Sequence, residues 1–252
     1  MTVFDFRAPR LFVDAPLAAG ATVALERDQS NYLGNVLRLA AGATVLAFNG
    51  RDGEWRAAIS GRKRADTLEI LNPVRPQDHL GDLAYVFAPL KHARLDYMVQ
   101  KAVEMGVSRL QPVMTRFTQA ARVNVDRMRA NVVEAAEQCG ILTLATVAEP
   151  TPLDKYLDQR APGRLLVFCD EAAEQAGPLQ ALDRARTDRQ GIDVLVGPEG
   201  GFAEEERALL LRQPLILRLS LGPRILRADT AAVAALALVQ AAVGDWDPAE
   251  HR

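Results

Sequence analysis

Two glycine-containing turns near the carboxyl end of the chain hold the residues best suited to binding a ligand. The first, GPEGG at residues 197–201, follows the apolar run Ile192–Val196. The second, LGPR at residues 221–224, follows another apolar run and precedes a long apolar stretch that opens at Asp229. Glycine has no side chain, so the backbone can approach a ligand closely. The two turns indicate a small-molecule site, although each alone also fits a plain chain reversal or a helix cap.

Neither turn has the pattern of a common nucleotide-binding loop. No lysine follows the first turn as a phosphate loop requires, and the spacing is not GxGxxG. The chain also has no GxSxG element, and its cysteines, Cys139 and Cys169, lie far apart. The histidines form no pair at helical spacing. These absences disfavour a serine hydrolase and a metalloenzyme, and they predict that no metal is bound.

The elements that must position these turns alternate between strands and helices from Leu83 onward. Such alternation is typical of a mainly parallel α/β sheet, in which ligands bind at the carboxyl ends of the strands. Leu219, Leu221 and Leu226 could wall an adenine-sized slot there. Asp126 is the predicted cap of one helix, and Asp229 or Thr230 of the last. The predicted strands are residues 83–88, 110–114, 144–148, 165–169, 192–196 and 215–219, and the main predicted helices are 91–105, 126–138, 204–211 and 229–243.

The amino-terminal region, residues 1–75, has a different pattern. Short apolar runs at residues 10–13, 22–25, 43–48, 55–59 and 67–74 predict strands. Asp28 is the predicted cap of a single helix among them. The region therefore predicts a small β-barrel-like module, and the polar stretch around residues 73–81 is the best candidate for a linker.

Composition and charge restrict the function further. The chain has 252 residues, of which 49% are hydrophobic and 25% charged, typical of a globular protein and not of a disordered chain. No apolar run reaches the roughly 20 residues that cross a bilayer, and the reducing cytoplasm is the expected location. The net charge is -2, yet residues 91–129 are strongly basic. This basic segment indicates a polyanionic partner, or else a solvated helix face.

Several motifs together resemble one family. They are RLF at residues 10–12, NYLGNVLR at 31–38, KHARLDYMVQKAVEMG at 91–106, EQCG at 137–140, GPEGG at 197–201 and LGPRILRADTA at 221–231. The combination resembles the RsmE family of 16S ribosomal RNA uridine-N3 methyltransferases, which belongs to the SPOUT class. The resemblance covers nearly the whole chain. Two positions depart from it: Ile141 stands where many relatives have arginine, and Asp229 where glutamate is more usual.

The resemblance implies a fold, a cofactor and partners. The fold is a PUA-like RNA-binding β-barrel domain over residues 1–75, followed by a SPOUT α/β methyltransferase domain over residues 76–252. A trefoil knot would occupy roughly residues 192–243. The protein would be a homodimer without membrane or metal partners, acting on 16S rRNA of the small ribosomal subunit. S-adenosyl-L-methionine would be bound by Val196, Gly197, Pro198, Glu199, Gly200, Gly201, Leu219, Ser220, Leu221, Gly222, Ile225, Leu226, Arg227, Thr230 and Ala231.

The chemistry of the implied reaction suggests catalytic residues. N3 of uridine carries a proton at neutral pH and is a poor nucleophile until that proton leaves. The enzyme must therefore place N3 in line with the methyl group, exclude water and stabilise the developing negative charge. Arg227 is the first candidate for that stabilisation. Glu199 or Asp229 could accept or relay the proton, and each could equally cap or hold a loop.

Basic residues suggest an RNA-binding surface, because Lys and Arg neutralise phosphates. The predicted RNA contacts are Arg10, Arg38, Lys91, Arg94, Lys101 and Arg116. Two other interpretations stay open at this point. One is a non-catalytic RNA-binding or ribosome-assembly protein that keeps the fold, and the other is an unrelated nucleotide-binding α/β enzyme.

Overall fold

The computed structural model of the protein describes residues 8–61, 65–91, 93–120, 122–173, 177–185 and 190–246. The chain divides into two compact units. Unit 1 comprises Met1–His79 and Ala136–Leu144, and unit 2 comprises Leu80–Ala135 and Ala145–Arg252. The sequence places residues 76–79 and 136–144 in the second domain, whereas the structure groups both segments with unit 1. Within the described ranges, no helix combines the length and the apolar character needed to span a membrane.

Unit 1 is built on a five-stranded sheet in the order β1-β3-β4-β5-β2. The β1–β3 pair is parallel and the other pairs are antiparallel. The strands are β1 (Arg10–Phe12), β2 (Thr22–Ala24), β3 (Thr44–Phe48), β4 (Glu54–Ser60) and β5 (Thr67–Arg75). Alternate residues of β4 and β5, among them Ala57, Ile59, Leu68 and Ile70, point into one core with Leu33. This is the period of two that a strand with one covered face requires.

The helical segment of unit 1 begins earlier than predicted. Helix α1 (Arg27–Asn31) continues as a π-helical turn over Tyr32–Val36. Its N-cap is Glu26, whose backbone N–H donates to the Gln29 side chain at 2.9 Å. The prediction that Asp28 caps this helix is therefore wrong, because Asp28 lies inside the first turn.

A buried ion-pair cluster joins three strands of unit 1. Glu54 on β4 accepts hydrogen bonds from Arg10 Nε at 2.9 Å and from Arg75 Nε at 2.8 Å. Arg75 also donates to the Gly140 carbonyl at 2.8 Å. The side chain of Arg10 is only 4% exposed. The prediction that Arg10 contacts RNA is not supported, because its guanidinium is already paired inside the protein.

The EQCG element at residues 137–140 packs within unit 1. Glu137 accepts the backbone N–H of Phe12 at 2.8 Å. Gly140 has φ +69°, and a Cβ there would lie 3.3 Å from the guanidinium of Arg10. Ile141 packs beside Phe48 in a small apolar cluster. The isoleucine that replaces the arginine of many relatives is thus a packing residue in this chain.

Unit 2 is built on a parallel sheet in the order β12-β10-β11-β6-β7-β8, and β9 pairs with β7. The central strands β6 and β11 are buried along their whole length, as expected for a parallel sheet covered on both faces. The strands are β6 (Leu83–Phe87), β7 (Arg109–Met114), β8 (Thr146–Val147), β9 (Thr151–Pro152), β10 (Leu165–Cys169), β11 (Ile192–Val196) and β12 (Ile216–Leu219).

Among the described residues, five helices lie between these strands along the chain and a sixth follows the last strand. They are α2 (Ala93–Glu104), α3 (Val125–Cys139), α4 (Leu153–Gln159), α5 (Pro178–Arg184), α6 (Glu204–Leu211) and α7 (Ala228–Val243). Residue 92, inside the predicted span of α2, lies outside the described residues. The predicted N-caps of α3 and α7 are wrong, because Asp126 and Asp229 each lie inside the first turn of the helix. The N-cap of α7 is Arg227. Arg227 has the extended backbone, φ −67° and ψ 152°, that an N-cap adopts.

Candidate functional site

A cavity of 350 Å³ opens in unit 2 at the carboxyl ends of three neighbouring strands, β10, β11 and β12. This is the edge at which open α/β sheets bind ligands. The loops after β11 and β12 contribute most of the lining, and the loop after β10 contributes the rest. The lining residues are Cys169, Asp170, Glu171, Val196, Gly197, Pro198, Glu199, Gly200, Gly201, Phe202, Leu219, Leu221, Gly222, Arg224, Ile225, Leu226, Ala228 and Ala231.

The first glycine turn brings bare backbone to the cavity. A Cβ on Gly197 would lie 2.5 Å from the ring of Phe202, closer than carbon atoms can approach. Gly201 has φ +70°, a conformation that favours glycine, and its N–H donates to the Pro198 carbonyl at 2.9 Å. Glycine is therefore required at these two positions, for space at the first and for backbone conformation at the second.

The second turn supplies an apolar wall and one arginine. Leu219 is buried at the end of β12, and Gly222 turns the chain with φ +102°. Leu221 and Leu226 face the same cavity, and Arg224 lies among its lining residues. Ile225 is 98% exposed. The leucines therefore form an apolar wall of the cavity, next to Arg224 and to the first turn of α7.

The loop after β10 is a third wall that the sequence analysis did not identify. Asp170 is 4% exposed and accepts hydrogen bonds from Arg207 at 2.8 Å and from Arg218 at 2.7 Å. These bonds connect the loop to α6 and β12. Burial raises the pKa of the Cys169 thiol to about 12, so this cysteine stays protonated at neutral pH. The missed signal was the position of Cys169 at the end of a predicted parallel strand.

Arg94 on α2 connects the first glycine turn to the start of α7. It pairs with Glu199 in the first turn through Nη1, and Nε donates to Asp229 Oδ2 in the first turn of α7 at 3.0 Å. The hydrogen bond from Arg94 lowers the pKa of Asp229. Its Nη2 is buried and has no hydrogen-bond partner among the described residues. Arg94 is therefore a cross-link between loops, which differs from the free phosphate contact that the sequence predicts.

The structure brings most of the predicted cofactor residues to one place. Of that set, all except Ser220, Arg227 and Thr230 belong to the described residues that line the cavity. Ser220 is buried, whereas Arg227 and Thr230 are exposed. Among the predicted catalytic residues, Glu199 lines the cavity, and Asp229 and Arg227 lie at the start of α7 beside it.

The predicted RNA contacts fall into three groups. Arg38, Lys91 and Arg116 are exposed. Lys101 is half-buried and donates to Glu104 at 2.6 Å, so part of its charge is compensated locally. Arg94 is paired as described above, and Arg10 belongs to the buried cluster of unit 1.

Comparison with known families defines the class of protein. Residues 76–240 match the RNA methyltransferase domain family, and residues 25–70 match the RNA methyltransferase PUA domain family. The first match covers more than half of the chain and contains all of the lining residues of the cavity. The chain is therefore an RNA methyltransferase with a PUA domain.

Relatives with known names narrow the class. The Synechocystis ribosomal RNA small subunit methyltransferase E is 31% identical over 241 residues, which cover 93% of this chain and 78% of that protein. Its counterpart from Rickettsia conorii is 29% identical over 233 residues, which cover 92% of this chain and 94% of that protein. The chain belongs to the ribosomal RNA small subunit methyltransferase E family.

Solved structures show the same fold. A ribosomal RNA small subunit methyltransferase E from Neisseria gonorrhoeae, bound to S-adenosyl methionine, superposes with a TM-score of 0.83 at 26% identity, covering 96% of this chain and 100% of that one. A Legionella pneumophila methyltransferase in complex with the same cofactor gives a TM-score of 0.81 at 26% identity, covering 94% and 98%.

Proposed function

We propose that this protein transfers a methyl group from S-adenosylmethionine to N3 of a uridine in the 16S rRNA of the small ribosomal subunit. The observation that carries the proposal is the cavity formed by two glycine turns after β11 and β12, the two strands on either side of β10. Membership of the family and the bound cofactor in the two solved relatives support it. The specificity for uridine N3 rests on the resemblance to the family.

The residues of the cavity fit this cofactor. A volume of 350 Å³ falls within the range of small-molecule sites. Leu219, Leu221 and Leu226 suit an adenine ring, and the bare backbone at Gly197 allows close approach. The carboxylates of Glu171 and Glu199 suit the positive charge of a sulfonium. When bound, the cofactor supplies an electrophilic methyl group.

The side chains of the chain itself must prepare the uridine. Glu199 lines the cavity, whereas Asp229 does not, so Glu199 is our candidate to accept the N3 proton, although Arg94 pairs with both carboxylates. Asp229, with its lowered pKa, is a weak base and holds Arg94. Arg227, exposed at the N-cap of α7 beside the cavity, remains our candidate for stabilising negative charge on the uracil oxygens.

The decisive experiment uses the purified full-length protein, methyl-labelled S-adenosylmethionine and small ribosomal subunits from a strain that lacks this methylation. We expect label in 16S rRNA, recovered after nuclease digestion as N3-methyluridine. The Arg227→Ala variant should bind the cofactor in calorimetry and transfer little or no label. Cofactor binding by the unaltered protein without any label in RNA would support a non-catalytic RNA-binding role instead.

The resemblance supports three further parts of the proposal. The segment of roughly residues 192–243 is threaded as a trefoil knot, the protein acts as a homodimer, and it works in the cytoplasm. Light scattering on the purified protein tests the dimer: a monomer mass at micromolar concentration would contradict it.

A further inference from the structure

An exposed aromatic side chain lies beside the cavity of unit 2. Phe117 follows strand β7 in a turn in which the Thr118 N–H donates to the Thr115 carbonyl at 3.1 Å. The Phe117 side chain is 45% exposed, although a phenylalanine gains stability from burial. The other exposed aromatic residues in the described part of the chain are Tyr97 and Trp246.

Phe117 lies against the first glycine turn. A Cβ on Gly200 would be 3.3 Å from Cβ and 3.7 Å from Cγ of Phe117, so the missing side chain of Gly200 leaves room for this contact. Gly200 also lines the cavity. Gly200 therefore contacts the Phe117 side chain and also lines the cavity.

One carboxylate fixes the two loops to each other. Glu206 Oε1 accepts the backbone N–H of Arg116 at 2.8 Å, and its Oε2 accepts the backbone N–H of Ala203 at 3.0 Å. The Thr115 N–H donates to the Thr118 hydroxyl at 2.9 Å and closes the turn around Phe117. The base of the Phe117 side chain is thus held by a bonded framework, as a binding platform requires.

A cation accompanies the ring. The guanidinium of Arg116 lies 5.9 Å from the centroid of the Phe117 ring. Its side chain is 66% exposed, and its nearest carboxylate partner, Glu205, is 3.8 Å away. Such a weak surface pair leaves Arg116 able to meet a phosphate. An exposed ring next to an available cation is the arrangement that single-stranded nucleic acids contact.

We propose that Phe117 is the stacking platform for the target uracil base, with Arg116 pairing with a neighbouring phosphate. This inference rests on the proposed function, since it names the subsite that receives the base to be methylated. A target base must leave its own stack to reach a cofactor cavity, and an aromatic side chain replaces the lost stacking. Phe117 therefore positions the base without taking part in the chemistry.

Substitutions of different shape and aromaticity test this role. Phe117→Leu keeps apolar packing against Gly200 but removes stacking, and Phe117→Trp keeps stacking. We expect kcat/KM for RNA to fall roughly ten-fold or more in Phe117→Leu and to stay near the unaltered value in Phe117→Trp. Cofactor affinity, measured by calorimetry, should not change in either. Trp246→Leu is the matched control, an exposed aromatic residue away from the cavity lining.

Fluorescence tests stacking independently of turnover. In a Phe117→Trp, Trp55→Phe, Trp246→Leu protein saturated with S-adenosylhomocysteine, residue 117 is the only tryptophan, and a single-stranded oligoribonucleotide with one uridine should quench its emission. The same oligonucleotide with an abasic site in place of the uridine should not. Equal activity of Phe117→Leu and the unaltered protein, equal quenching by both oligonucleotides, or a loss of cofactor affinity in Phe117→Leu would overturn the inference. If the unaltered protein methylates no RNA, the proposed function fails, and the quenching result alone decides the stacking role.

Discussion

Some arginines that the sequence analysis assigns to an RNA-binding surface instead form ion pairs with carboxylates of other loops and strands. Arg94, in the basic segment 91–129, and Arg10 are both predicted RNA contacts from sequence, and both are engaged by carboxylates far away along the chain. Local sequence reveals the charge of such residues but not their partner, because the partner is brought close only by folding. The number of basic residues in the sequence is therefore larger than the number of cations that are available to RNA.

The cross-link by Arg94 has a measurable consequence for the cofactor. Charge-assisted hydrogen bonds contribute about 1.5 kcal/mol or more, and Arg94 makes them to both Glu199 and Asp229. We predict that Arg94→Ala loosens the first glycine turn from the start of α7 and weakens S-adenosylmethionine binding about ten-fold in calorimetry. Arg127→Ala is the control, because Arg127 on α3 pairs with Asp96 on α2, the helix that carries Arg94, and does not line the cavity. An equal loss of affinity in both variants would contradict the role given to Arg94.

At the scale of elements, the strands were the easiest part to predict from sequence. Strand β11 (Ile192–Val196) and helix α6 (Glu204–Leu211) have the predicted bounds, because a mostly apolar run, interrupted only by Asp193, and a cluster of glutamates mark them locally. The caps were harder, because an N-cap depends on the backbone angles of the preceding loop. The loop after β10 was not predicted to line the cavity. The order of strands in a sheet depends on long-range pairing, which no single segment of the sequence indicates.

The buried cluster of Glu54 holds strands β1, β4 and β5 together, and its loss should be costly. Glu54→Ala leaves Arg10 and Arg75 buried without their carboxylate partner. Removing one member of a buried ion pair costs about 3–5 kcal/mol. We predict a loss of this size in the free energy of unfolding, measured by denaturant titration. Glu69→Ala, on the exposed side of β5, should change it by less than about 0.5 kcal/mol. Similar losses in both variants would show that the pairing itself contributes little.

At the scale of the whole molecule, the overall charge of this RNA methyltransferase does not favour binding to a polyanion. The net charge is -2, so attraction to RNA must come from local surfaces. The sequence predicts which residues carry the charge, whereas exposure, known only from the fold, reduces the candidates to Arg38, Lys91 and Arg116, together with the partly compensated Lys101.

Salt dependence distinguishes these cations from other surface charges. Each phosphate contact on a single strand contributes about 0.7 to the slope of log K against log salt concentration. We predict that Lys91→Ala lowers the magnitude of this slope by about 0.7 in RNA-binding titrations. Lys155→Ala, an exposed lysine on α4 outside the predicted surface, should leave the slope unchanged. A slope that is insensitive to Lys91→Ala would remove this residue from the RNA surface.

The grouping of Ala136–Leu144 with unit 1 affects how the protein is made. When a ribosome has released residues up to His79, the nascent unit 1 still lacks the Gly140 carbonyl that Arg75 binds and the Glu137 carboxylate that Phe12 binds. Those groups emerge only after strands β6 and β7 of unit 2 have been synthesised. The amino-terminal unit therefore completes its fold late, while the growing polypeptide already exposes apolar strands of unit 2.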